Sequence, residues 1–154
     1  MLENVIDERG FAQIMKKNIE DVIIHFFERE QNFGILCKIE EVSFNPELPD
    51  EINTEFRALT LFFLAGYTFE TARIEDEMLI FEAGFGADNF GSIVTVPLLS
   101  IMQIIIDETP ILINLSVYKE SEHEKEAGNV DEKGVKNSMA SFLNNPENSK
   151  FLKK

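Results

Sequence analysis

The chain has 154 residues, 44% hydrophobic and 27% charged, the make-up of one ordinary globular domain with room for an appendage. Its 28 acids against 14 Lys and Arg give a net charge of −14, which argues against nucleic acid and against an anionic membrane surface, because both draw on clustered bases. One cysteine, Cys37, rules out an intramolecular disulfide, and its apolar surroundings mark it as a small buried hydrophobe.

Residues 1–10 are charged and hold no apolar run, so no signal peptide is expected. Phe11, Ile14, Met15, Ile19, Val22, Ile23, Phe26 and Phe27 then recur at three- and four-residue steps, the pattern of an amphipathic helix with one broad apolar face. Gly34 is its expected stop. A helix this apolar must pack on its own sheet or on a second subunit. Ile19, Val22, Ile23 and Phe26 lie on that face and are the expected contacts if a second subunit covers it.

From Ile35 to Phe44 β-formers take over, with an alternation that slips at Glu40 and Glu41 as a bulge would cause. Residues 45–50 are a loop by composition, and residues 56–64 form an apolar run that predicts a strand. Ala65 and Gly66 predict a bend, residues 67–74 an alternating strand, residues 75–77 a tight polar turn and residues 78–83 the returning strand of a hairpin. Residues 84–91 are expected to be a flexible connection carrying Phe85 and Phe90, followed by a short strand over 92–96. Pro97 suits the first turn of a helix, and residues 98–106 are apolar nearly all round, which predicts one buried helix. Thr109 and Pro110 end it, and residues 111–117 alternate as a last strand. The apolar stretch 93–106 is shorter than the roughly 20 residues of a membrane span, so a cytoplasmic protein is expected.

Residues 119–134 have almost no apolar content and read as an acidic disordered linker behind a globular domain of residues 1–118. Val135, Met139, Phe142 and Leu143 return to helical spacing in a final motif over 135–154, which ends Phe151-Leu152-Lys153-Lys154. Charge follows the same divisions. Residues 1–118 carry 21 acids and 7 bases, whereas residues 133–154 carry 1 acid and 5 bases.

Little in the sequence points to catalysis. His25 and His123 share no metal-ligand spacing with each other or with Cys37, so no metal and no cofactor are expected. Gly84 and Gly86 lack the third spaced glycine of a dinucleotide-binding turn, and no phosphate-loop lysine or nucleophile elbow is present. The acidic runs at 40–41 and 75–77 read as solvated surface. Two features remain. The aromatic positions Phe69, Phe85 and Phe90 are candidates for the wall of a peptide groove, and the tail is a candidate tethered recognition motif.

Phe85-Gly86 followed by Val94-Thr95-Val96-Pro97-Leu98-Leu99-Ser100-Ile101-Met102-Gln103-Ile104 resembles the stringent starvation protein B family of adaptors. The likeness runs from about residue 11 to residue 106, and an acidic linker with a basic apolar tip is similar too. It implies an α+β fold with an N-terminal helix and a strongly bent, Sm-like antiparallel barrel or sheet. It also implies a non-enzymatic role: capture of tagged peptide clients by a homodimer, with delivery to a AAA+ unfoldase-protease. Phe151, Leu152, Lys153 and Lys154 would dock on the unfoldase. Two other readings stand beside it: a dimeric acidic secretion chaperone of the type III class, and a small enzyme with an apolar ligand pocket.

Overall fold

Ala12, Ile19, Ile23 and Phe26 fall on one stripe of a 20-residue helix, α2 (Arg9–Glu28), and that stripe is buried. The predicted amphipathic helix is therefore present. Burial of each large side chain contributes about 1.5–3 kcal/mol. In the computed structural model, which describes residues 1–119, a short helix α1 (Leu2–Ile6) precedes it. The helix ends before Glu30, which takes a left-handed conformation (φ 55), and Gly34 lies inside the next strand instead of stopping the helix.

The strands that follow are β1 (Phe33–Lys38), β2 (Ser43–Asn45), β3 (Leu59–Leu64), β4 (Arg73–Glu75), β5 (Met78–Phe85), β6 (Phe90–Pro97), β7 (Ile101–Ile106) and β8 (Thr109–Ile113). They form two four-stranded antiparallel sheets, sheet A in the order β3-β1-β7-β8 and sheet B in the order β2-β6-β5-β4. The fold of the unit Met1–Val117 is thus α+β, as expected from the sequence. The expected linker from residue 120 and the tail motif at 135–154 lie outside the described residues.

The chain passes between the sheets four times, twice through a corner made of a single 3-10 turn. Ile39–Glu41 leads from β1 to β2, and Leu98–Ser100 leads from β6 to β7. Both corners correct the sequence-based expectation. The slipped alternation at Glu40 and Glu41 is a change of sheet and not a bulge. The buried helix expected after Pro97 is one turn and then strand β7. Its run of Leu, Ile and Met gives no period to separate helix from strand, and β-branched Ile favours the strand. The second corner is pinned by polar groups. Ser100 Oγ donates to the Pro97 carbonyl at 2.7 Å, and buried Asn114 donates through Nδ2 to the carbonyls of Leu99 (3.1 Å) and Ile101 (3.0 Å).

Residues 67–74 also depart from expectation. Beyond a one-turn helix α3 (Asp50–Asn53) and strand β3, Gly66 (φ 61) starts a short helix α4 (Tyr67–Thr71), and only Arg73–Glu75 is strand. Thr68 Oγ1 both accepts from the Ala65 amide (2.9 Å) and donates to the Phe63 carbonyl (2.7 Å), which favours a helical turn over extended chain. The expected turn at 75–77 is present, with Asp76 and Glu77 at positive φ. The expected loop 84–91 is shorter: the strands run to Phe85 and from Phe90, and Asn89 closes the turn on the Gly86 carbonyl at 3.1 Å.

Between the sheets lie Ile35, Leu64, Ile101 and Ile104 from sheet A and Leu79, Phe81, Val94 and Val96 from sheet B, all fully buried. The buried stripe of α2 belongs to the same core. Lys16 Nζ bonds Glu77 Oε2 at 2.8 Å and ties the helix to the β4–β5 turn.

Candidate functional site

An open cleft of about 720 Å³ lies on the outer face of sheet B. The register explains its position. Gly84 pairs with Gly91, and Glu82 pairs with Ile93 on the same outward face, while Phe81, Ala83 and Phe85 point into the core. Two paired glycines leave bare backbone where other strand pairs carry side chains. The Asn89 side chain folds over Gly84, in the space a Cβ there would need. Gly91 is open: nothing lies within 4 Å of the place its Cβ would take. Asn45 and Tyr67 complete the rim.

The cleft carries one charge, that of Glu82. Tyr67 Oη donates to Glu82 Oε2 at 3.1 Å, and the carboxylate beside it pushes the Tyr67 hydroxyl pKa above its ordinary value. Thr71 Oγ1 accepts from the Glu82 amide at 2.9 Å and fastens α4 to β5 beside the cleft. Among the described residues no Lys or Arg forms an ion pair with Glu82. A carboxylate, a half-free tyrosine ring and two amides around bare backbone suit a cationic side chain borne on an extended chain.

The aromatic residues expected to wall a groove lie elsewhere. Phe69 packs edge-on against Phe27 (5.7 Å between centroids) and Phe33 (6.4 Å) at one end of the core. Phe85 belongs to a second cluster, 5.6 Å from Phe44 and 6.1 Å from Phe56. Phe90 stands opposite Phe85 in the β5–β6 pairing. The three are not brought together, although the turn that carries Phe85 and Phe90 does end the cleft. The proposed dimer contacts on α2 are also used within the protomer: Ile19 and Ile23 have no exposed surface, Phe26 is buried and Val22 packs on the core. The expected docking residues Phe151, Leu152, Lys153 and Lys154 lie outside the described residues.

One further position bears on chemistry. Cys37 is buried, with its thiol 3.6 Å from the Thr60 carbonyl. Among the described residues no group of His, Cys, Asp and Glu is arranged to hold a metal ion, and no helix is long and apolar enough to cross a membrane. Comparison of the chain with protein-family models, with curated proteins and with solved structures gave no match.

The cleft residues were not singled out in the sequence. Gly84 and Gly91 read as loop glycines. The available signal was their equal distance from the turn centre, which makes them cross-strand partners once residues 85 and 90 are placed in strands.

Proposed function

We propose that this chain is a non-enzymatic peptide-binding adaptor, and that it holds a short extended segment of a client protein in the cleft on the outer face of sheet B. The observation that carries this reading is Gly91, paired with Gly84 and open on its outer side, beside Glu82, which has no Lys or Arg partner among the described residues: backbone open to close approach next to a fixed negative charge. The client segment is basic at one position. Its Lys or Arg sits against the Glu82 carboxylate and the Tyr67 ring, and its backbone crosses Gly91. The net charge of −14 favours such clients by raising the local concentration of cationic segments.

The likeness to stringent starvation protein B adaptors supplies the rest of the proposal. On that reading the two bent sheets stand for the Sm-like barrel, and the chain carries clients to a AAA+ unfoldase through Phe151, Leu152, Lys153 and Lys154. The long N-terminal helix followed by all the strands supports the likeness. The segment 94–104 that carries it forms a strand, a 3-10 corner and a strand.

Selection of peptides from a random heptapeptide library tests the cleft. The full chain is expected to enrich sequences with Lys or Arg. Gly91→Val fills the cleft floor with a residue that strands favour, in open space, and is expected to abolish enrichment with the fold intact. Glu82→Gln is expected to keep binding but lose the preference for basic residues. Equal enrichment by all three proteins would remove the cleft from the account. Delivery is tested separately by recovery of partners from cell extract with the full chain and with residues 1–134. An unfoldase subunit bound only by the full chain is the expected result, and the same partners with both would favour the secretion-chaperone reading.

A further inference from the structure

We infer that the outer face of sheet A is the interface of a homodimer of this chain. The proposal rests on a different face from the cleft and does not depend on it.

A sheet with one face on the core ordinarily turns polar side chains outward. Sheet A does not. On β3 burial alternates strictly, yet the outward residues are Leu59, Leu61 and Phe63, with Phe63 64% exposed. On the opposite edge Ile111 and Ile113 are about half exposed, and Leu115 continues outward past the strand. The register joins these edges into one surface. Leu61 stands beside Leu36, then Gln103, then Ile113, and Phe63 stands beside Gly34, then Ile105, then Pro110. Gly34 keeps the middle of the face low: a Cβ there would lie 3.4 Å from the Phe63 ring and 3.2 Å from a Leu61 methyl.

Size and charge select the occupant. The exposed parts of the six apolar residues on β3 and beside β8 amount to on the order of 500 Å², at the upper end of what monomers leave bare. The half-covered residues of β1 and β7 bring the face toward the roughly 800 Å² that each partner contributes to a standard interface. Strands β1, β3, β7 and β8 contain no acid, although residues 1–118 hold 21. Two copies of so acidic a chain repel over most of their surfaces, and this face is where they can meet without opposing carboxylates. Its groups are self-complementary, as a two-fold interface requires. Aliphatic side chains match their own kind, and the Gln103 amide is both donor and acceptor, so it can pair with its copy. The one cation, Lys38, stands at a corner, across from Leu59. On these strands a heterologous partner would find no charge to read beyond that corner.

Sedimentation equilibrium of the full chain, with Phe63→Lys and Ile113→Lys made separately on the two edges, tests the proposal. The wild type is expected at twice the 17.6 kDa chain mass at micromolar concentration. Each variant is expected to dissociate about 100-fold more readily, with the far-UV spectrum unchanged. Both positions are more than half exposed in the protomer, so either variant can fold, and one folded variant is enough for the reading. A wild-type monomer at 100 μM overturns the proposal. So does a dimer indifferent to both substitutions, or one dissolved instead by Ile14→Lys on the exposed side of α2. Peptide selection by the monomeric variant separates the two claims. Retained selection leaves the cleft standing whatever the mass shows, and a dimer that selects no peptide removes only the cleft.

Discussion

Cys37 concentrates the electrostatics of the core in one group. Burial, with a smaller contribution from the Glu41 charge, pushes its thiol from 9.0 up to about 12. The folded chain therefore keeps the proton over a range in which the unfolded chain has lost it. Stability from this group is complete below pH 9 and declines as pH rises toward 12, by about 1.4 kcal/mol per pH unit. Urea denaturation at several pH values should give a steeper alkaline loss for the wild type than for Cys37→Ala. Parallel curves would mean that the thiol reaches solvent. The same burial predicts no alkylation of the native protein by iodoacetamide at pH 8, because the thiolate is the nucleophile. Glu82 is the opposite case, a charge left at the surface beside open backbone, where the cleft reading needs it.

The turns that join strands are where single elements can be tuned. Asp107 and Glu108 both take positive φ (49° and 69°) in the β7–β8 hairpin, a conformation that Asn and Gly adopt more easily. Glu108→Gly is expected to stabilise the fold by about 0.5–1 kcal/mol, read as a rise of a few degrees in Tm. A fall would show that the Glu108 side chain holds the turn. That turn was hidden in the sequence, where residues 98–106 read as a helix, but another of its kind was legible. Glu75-Asp76-Glu77 broke two β-rich runs, and the hairpin lies there. Helix α2 was legible because its apolar stripe keeps a period near 3.6 across five turns. The two corners were not. At Glu40 and at Leu98 the local signal is a slipped alternation or an unbroken apolar run, and what the chain does there depends on which sheet receives it. The cleft was hidden for a related reason. Spacing placed Phe85 and Phe90 at the right turn, but the side of the strand each residue faces follows from register. Phe85 points inward to Phe44, and Gly91 and Glu82 occupy the outer face.

Taken as a whole, the unit Met1–Val117 offers two outer surfaces of opposite character. Sheet A is apolar and free of acid outside, which fits a second copy of the chain. The cleft on the outside of sheet B is mostly polar, glycine-floored and negative, which fits a cationic segment of a client. Both sheets give their inner faces to one core, so a substitution on either outer face can be read without disturbing the other. On the two proposals net charge works in the same direction at both surfaces: it would draw basic clients to the cleft and confine self-association to the face without acids. The claim on which the functional account turns is that a peptide binds the cleft. The direct measurement is an NMR titration of the ¹⁵N-labelled chain with the most enriched library heptapeptide. The account predicts saturable shifts at the amides of Tyr67, Glu82, Asn89 and Gly91, with β3 and β8 unmoved. Shifts gathered on Leu61, Phe63 and Ile113 instead, or none at saturating peptide, would contradict it.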